Sequence, residues 1–123
     1  MRRRMMFKTT PSVFVPERFD VTAPSYYQAN RNFVIKAYTS IPVEGDPSKT
    51  VDKVILLDST GNEIGLFNWV NTQAVANGTD DYCYYTKTRK ETIKLESYSY
   101  QIVAVNGEGL RSEPIWIEIP LRS

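Results

Sequence analysis

The sequence predicts an all-β protein, an antiparallel Greek-key β-sandwich of about seven short strands with an extended N-terminal arm. Three observations support this prediction. Residues 98–119 have the pattern of a β-hairpin, four further stretches have the alternation or apolar content of strands, and turn residues separate these stretches. The chain shows no stretch with the apolar period of an amphipathic helix.

The hairpin at 98–119 is the clearest element. One face of each predicted strand is apolar: Tyr98, Tyr100, Ile102 and Ala104 in the first strand, and Ile115, Ile117 and Ile119 in the second. Between the strands, Asn106, Gly107 and Gly109 are expected to supply the positive-φ positions of the loop. Pro114 and Pro120 bound the second strand, because proline has no backbone N–H for an interior ladder.

The remaining strands follow from shorter patterns. Residues 33–39 alternate, and residues 53–58 are nearly all apolar, which predicts a central strand buried on both faces. A turn then leads into a partner strand at 63–69, and residues 82–89 regain strand character. Residues 70–81 fit either a long loop or one helical turn.

The chain divides into an arm, residues 1–25, and a sandwich domain, residues 26–123. Prolines punctuate the arm too closely for a helix. It is either a solvated terminus or a segment that docks on another protein. In the second case its basic and apolar side chains are expected to bind the partner: Arg2, Arg3, Arg4, Phe7, Val13, Phe14 and Val15. Deletion of residues 1–24 is then expected to leave the sandwich folded.

The charge distribution limits the classes of partner. The net charge is +1, but all 14 acidic residues follow the basic N-terminal segment, so the domain itself is mildly acidic. We therefore expect no nucleic-acid partner. The arginines are not followed by the apolar segment of a signal peptide, and the longest aliphatic run is residues 54–57. The expected location is a virion or the cytoplasm of the producing cell, without membrane contact.

The composition offers little catalytic equipment. The chain has no histidine, which the familiar Ser, Cys and metal hydrolytic sites require, and its one cysteine, Cys83, is expected to be a buried core thiol. Asp80 and Asp81, with Glu44 and Asp46, lack the spacing of a calcium loop and are expected to be solvated. We therefore expect no enzymatic activity, no cofactor and no bound metal.

Aromatic residues exceed what one sandwich core needs, with eight tyrosines and two tryptophans. Because such side chains are enriched at interface centres, the excess predicts an aromatic binding surface. Its candidate residues are Trp69, Tyr82, Tyr84, Tyr85 and Trp116. Cross-strand pairs on an outer sheet face and a platform for sugar rings are the alternatives.

The pattern Tyr98-x-Tyr100-x-Ile102-x-Ala104, followed by Gly107, Gly109 and Pro114, resembles the last two strands of a fibronectin type III domain. This resemblance implies an immunoglobulin-like sandwich in which Tyr98 has a structural role. Its ring would pack inward and its hydroxyl would return to the upstream backbone as a tyrosine corner. Ala37 stands where the family often has tryptophan, so another immunoglobulin-like sandwich fits equally well.

The expected function is a non-enzymatic structural or protein-protein interaction module. By analogy of fold and size, it looks like a small accessory or decoration subunit on a larger assembly such as a bacteriophage capsid or tail. The alternative is a cell-surface or secreted adhesion or carbohydrate-binding module excised from a longer chain. The oligomeric state and the partner's identity are left open.

Overall fold

The computed structural model describes residues 13–74, 81–93 and 95–122, and this part of the chain forms two four-stranded sheets. In chain order the strands are β1 (Phe19–Thr22), β2 (Asn32–Ser40), β3 (Val51–Leu57), β4 (Glu63–Leu66), β5 (Asn68–Ala74), β6 (Asp81–Lys90), β7 (Tyr98–Asn106) and β8 (Ile115–Ile119). The sheet orders are β1-β2-β6-β5 and β4-β3-β7-β8, and neighbouring strands run antiparallel. The predicted all-β sandwich is confirmed, with one strand more than expected.

Alternating side chains build the core between the two sheets. In β2, Phe33, Ile35 and Ala37 are buried, whereas Val34 and Lys36 are exposed. The other buried members of the core are Phe14, Tyr27, Val51, Val54, Leu56, Phe67, Cys83, Tyr85, Tyr100, Ile102, Ala104 and Ile119. The period-two pattern therefore determines which face of each strand meets the opposite sheet.

The predicted strand at 63–69 is in fact two strands in different sheets. β4 ends at Leu66 and pairs with β3, while β5 begins at Asn68 and pairs with β6. Between them Phe67 is buried in the core, and its N–H donates to the carbonyl of Val54 at 2.9 Å. The expectation of a loop or helical turn over residues 70–81 was wrong at both ends, because residues 70–74 belong to β5 and Asp81 begins β6; residues 75–80 lie outside the described residues.

The described part of the predicted arm lies against the sandwich. β1 pairs with β2, and the Phe14 N–H donates to the Arg111 carbonyl at 2.9 Å while its ring enters the core. A second contact ties Tyr27 to the chain end, since its N–H donates to the Pro120 carbonyl at 2.9 Å. Residues 13–25 thus close one edge of the sandwich, and residues 1–12 lie outside the described part of the chain.

The hairpin loop differs from the expected geometry. Of the three predicted positions only Gly109 has positive φ, at +88°. Asn106 ends β7 as a buried residue, and its side-chain oxygen accepts from the N–H groups of Glu108 and Leu110, both at 2.9 Å. Asn106 therefore shapes the loop through its side chain, as in an Asx turn, rather than through its backbone.

Candidate interaction surfaces

The outer face of the β4-β3-β7-β8 sheet is apolar at its centre. Ile55 and Leu57 of β3 and Val103 and Val105 of β7 form a second buried cluster, separate from the main core. The register places Ile55 opposite Val103. We call this group the aliphatic face. It arises because the apolar run in β3 leaves no polar position for the side away from the core, as the sequence predicted.

Two large apolar side chains flank the aliphatic face and remain open to solvent. Leu66, opposite Ile55 on the edge strand β4, is 53% exposed, and Trp116 on the other edge strand, β8, is 56% exposed. A solvated outer face of an antiparallel sheet ordinarily carries polar residues. The four centre residues are already buried, so the apolar area open to a partner is that of Leu66 and Trp116, and exposed apolar side chains of this kind are typical of a contact surface.

An ion pair crosses the aliphatic face. Glu63 lies on β4 and Arg111 lies beyond β7, so the bond from the Arg111 guanidinium to the Glu63 carboxylate, at 3.3 Å, spans two strands. Both side chains line a cavity of about 260 Å³ together with Ile55 and Val105. The stems of these two residues thus shield part of the aliphatic face, while their charged ends stay half exposed.

A tyrosine ladder occupies the outer face of the β1-β2-β6-β5 sheet. The Tyr38 ring stacks on Tyr84 with centroids 5.3 Å apart and meets the edge of Tyr82 at 5.5 Å. A cation lies at each end: the Arg18 guanidinium is 4.5 Å from the Tyr82 centroid, and the Lys36 ammonium is 5.6 Å from the Tyr84 centroid. These contacts use the ring faces within the molecule.

The electrostatics of the tyrosine ladder follow from the same contacts. A hydrogen bond with Tyr84, reinforced by the Coulombic influence of Tyr84 and Tyr38, raises the pKa of Lys36 above its usual value. Arg18 is also paired with Asp20, with 2.9 Å between guanidinium nitrogen and carboxylate oxygen. In the tyrosine ladder each cation therefore contacts a ring of the same molecule, and Arg18 also pairs with Asp20.

A cavity of about 700 Å³ lies where the N-terminal segment meets the end of the sandwich. Its apolar wall consists of Val13, Phe14, Val15, Pro16, Val43 and Leu110. Phe14 points into the core at 5% exposure, whereas Val15 is 82% exposed. Because side chains alternate along the segment, Phe14 is buried and anchors the segment, whereas the predicted arm residues Val13 and Val15 face solvent.

A buried polar cluster lies at one end of the sandwich. Glu91 is 7% exposed and accepts hydrogen bonds from the Arg89 guanidinium at 3.0 Å and from the Tyr100 hydroxyl at 3.2 Å. Burial, with a further contribution from Glu91, raises the pKa of Tyr100 well above its usual range. Because Arg89 compensates the buried carboxylate, the cluster is a satisfied structural network.

The structure distributes the predicted aromatic residues over several places. Tyr82 and Tyr84 come together in the tyrosine ladder, Trp116 flanks the aliphatic face, and Trp69 lies on the edge strand β5. The expectation for Tyr85 needs correction: it is buried in the core, because it shares the inward parity of Cys83. The five residues therefore do not form one surface, and binding through the four exposed or half-buried ones stays a prediction.

Two further predicted sites are only partly covered by the structure. The arm residues Arg2, Arg3, Arg4 and Phe7 lie outside the described residues. Tyr98 begins β7 and packs against the main core, with its ring centroid 5.4 Å from that of Tyr27 and 5.8 Å from that of Tyr100. Return of its hydroxyl to the upstream backbone stays a prediction.

Several residues of these surfaces did not emerge from the sequence. Tyr38 has no signal of its own beyond the alternation of its strand, and its parity, opposite to that of the buried Ala37, places it across from Tyr84 on the outer face. Arg18 and Lys36 could not be assigned to the same face without knowing that β1, β2 and β6 are neighbours. The Glu63–Arg111 pair links positions 48 residues apart and has no local signal.

Residues 13–74, 81–93 and 95–122 contain no group of three acidic or cysteine side chains placed to hold a metal ion. Asp46 instead accepts hydrogen bonds from the N–H and hydroxyl of Ser48. Within the same described ranges, no helix has the length and apolar character to cross a membrane.

No protein-family model matches the chain, and no curated protein is significantly similar to it in sequence.

Proposed function

We propose that this chain is a non-enzymatic accessory subunit that packs on a larger protein assembly, such as a bacteriophage capsid or tail, through the outer face of its β4-β3-β7-β8 sheet. The observation that most directly supports this proposal is the aliphatic face, which is buried at its centre and flanked by Leu66 and Trp116, each more than half exposed. Partner contact would remove the two flanking side chains from water and so stabilise the complex.

The distribution of charge supports the same surface. The ion pair of Glu63 and Arg111 crosses the aliphatic face and leaves its charged ends half exposed. Binding energy concentrates in apolar and aromatic side chains that lie beside polar groups, because those groups exclude water from the contact. Trp116 is the expected hot spot, because tryptophan gives a large rigid area and one hydrogen-bond donor.

The strand order supports an immunoglobulin-like or fibronectin type III-like assignment for the module. The orders β1-β2-β6-β5 and β4-β3-β7-β8 correspond to A-B-E-D and C′-C-F-G in immunoglobulin sandwiches. This fold serves many unrelated binding roles, so it does not choose among partners. The proposal that the partner is a larger assembly therefore rests on the aliphatic face and not on the fold.

Carbohydrate binding is the second candidate, and the tyrosine ladder disfavours it at Tyr82 and Tyr84. A sugar ring needs an open aromatic face, whereas Tyr38 and Tyr84 stack at an interplanar angle of 17° and Arg18 lies over Tyr82. Trp69 and Trp116 keep more accessible rings but lie on different sheets. Quenching of tryptophan fluorescence by polysaccharide would favour this second candidate.

The test is sedimentation of the native protein from its natural source through a density gradient. We expect it to travel with a large particle in fixed stoichiometry rather than as a species of about 14.1 kDa. In rebinding to particles stripped of the subunit, Trp116→Ser and Leu66→Ser should each weaken binding by at least about tenfold.

Val34→Ser is the matched control, because Val34 is exposed on the outer face of the other sheet. It should rebind like the unaltered protein. Migration of the native protein as a free species would overturn the proposal. An equal loss of binding in Val34→Ser would show that the aliphatic face is not the docking surface.

A further inference from the structure

The four edge strands of the sandwich differ in how well they are protected from pairing with another chain. β1, β4 and β8 contain four, four and five residues, and each carries one acid: Asp20, Glu63 and Glu118 respectively. β5 has seven residues, Asn68–Ala74, with neither a charged residue nor a proline. Short length, charge, proline and bulges are devices by which natural sheets block edge pairing, and of these β5 has only a register shift near its start.

The surroundings of β5 also leave it open to pairing with another chain. Among the described residues β6 is its only sheet neighbour, so its other edge carries backbone N–H and C=O groups without a sheet partner. Trp69 is 57% exposed, and Val70 is exposed as well. A register shift between Trp69 and Asn71 bends the start of the strand, but residues 71–74 continue in unbroken register with β6.

We propose that β5 pairs antiparallel with β5 of a second copy of this chain, joining two four-stranded sheets into one continuous eight-stranded sheet. In this arrangement residues 71–74 would supply the ladder, and Trp69 and Val70 would flank it. The interaction is β-strand addition, in which main-chain hydrogen bonds provide the affinity. It is independent of the aliphatic face, which belongs to the other sheet.

A second copy is the favoured occupant because of symmetry and charge. In a two-fold antiparallel pair, residues at equal distances on either side of the axis face each other, so a charged residue near the axis lies close to the like charge of its own copy. Such repulsion would oppose self-pairing of β1, β4 and β8 through their acids. β5 is uncharged over its whole length, so its self-pairing carries no such penalty.

The first measurement is sedimentation of the full chain over about 1 to 100 µM, the range where weak dimers dissociate. We expect a concentration-dependent rise toward twice the monomer mass of 14.1 kDa. Hydrogen exchange on the same samples should show that amides of β5 become protected as the concentration rises, while amides of β1 do not. This readout needs no variant and so is independent of any folding defect.

Gln73→Lys supplies the mutational test, since residue 73 pairs with Tyr82 in the straight part of β5. It would place like charges close together in the dimer and should raise the dissociation constant roughly five- to tenfold. Thr88→Lys is the control, because it adds the same charge to the neighbouring interior strand β6. Trp116→Ser should leave dimerisation unchanged, which separates this inference from the proposed docking surface.

Three results would overturn the inference. One is a monomer at every concentration. Another is a dimer whose β5 amides exchange at the same rate at low and high concentration. The third is equal weakening by Gln73→Lys and Thr88→Lys. If β5 amides become protected only when the chain binds a larger particle, the strand pairs with a different protein and self-pairing is wrong.

Discussion

Tyr84 and Tyr85 are adjacent in β6 and have opposite environments. Tyr85 is buried in the core, whereas Tyr84 stacks on Tyr38 at the outer face. Tyr85→Ala should therefore lower the free energy of unfolding by roughly 3–5 kcal/mol, because it leaves a cavity in the core. Tyr84→Ala should cost about 1 kcal/mol, the scale of one aromatic pair. Urea denaturation of both variants measures the difference, and equal losses would contradict the assignment of the two faces.

Burial of Tyr85 also makes stability depend on alkaline pH. Burial, with a smaller contribution from Cys83 and Asp52, raises the pKa of Tyr85 from 10.0 to about 12. Between these values the unfolded chain loses the phenol proton while the folded chain keeps it. The stabilising contribution is thus complete below pH 10 and is lost as the pH rises toward 12.

Tyr85→Phe checks this dependence, since it keeps the ring and removes the titrating group. Its free energy of unfolding should fall less than that of the unaltered protein when the pH rises above 10. Tyr100 is present in both proteins, so its own raised pKa cancels in the comparison. Parallel pH profiles of the two proteins would show that Tyr85 ionises equally in the folded and unfolded states.

At the scale of elements, the β7–β8 loop depends on one buried amide. Besides its two bonds within the loop, the Asn106 side chain donates to the Ser48 carbonyl at 3.0 Å, which ties the hairpin to the 3₁₀ turn Pro47–Lys49. Asn106→Ala should cost roughly 2–3 kcal/mol, since it removes three hydrogen bonds that each contribute about 1 kcal/mol. Thermal or urea unfolding measures this cost. The exposed Asn62→Ala, which should change stability by less than about 0.5 kcal/mol, is the control.

Elements with a complete local signal were predictable from the sequence, and elements decided by the opposite sheet were not. Alternation and turn residues predicted β2, β6 and the β7–β8 hairpin correctly. The split between β4 and β5 has no such signal, because Phe67 continues an unbroken apolar run and only the core it enters shows that the chain changes sheets. β1 was not predicted, because it has only four residues and lies between Pro16 and Pro24, where the sequence resembles a loop.

At the scale of the whole molecule, the candidate surfaces were less predictable than the fold. Composition correctly indicated surplus aromatic residues, but which of them share a face depends on strand order. β2 and β6 are neighbours although residues 41–80 lie between them in the chain, and this pairing brings Tyr38 to Tyr84. The apolar run in β3 was the one local signal for the aliphatic face, since it leaves apolar side chains on both sides of the strand.

The N-terminal segment gives the clearest test at this scale, because the structure changes the expected effect of truncation. A chain beginning at residue 13 keeps every contact described above. A chain beginning at residue 25 loses Phe14 and the whole of β1, whose Phe19 and Val21 pack against the core. We therefore expect the longer deletion to destabilise the protein by more than about 3 kcal/mol, at least the cost of removing one buried phenylalanine.

Urea denaturation of the two truncated chains, with Phe14→Ala in the full chain as a reference, measures this effect. The chain beginning at residue 13 should unfold with nearly the same midpoint as the full protein. Phe14→Ala should lie between the two truncations, because it removes the buried ring but keeps the pairing of β1 with β2. If the chain beginning at residue 25 were as stable as the full protein, residues 13–24 would contribute nothing to the fold, and they would be an arm free to bind a partner.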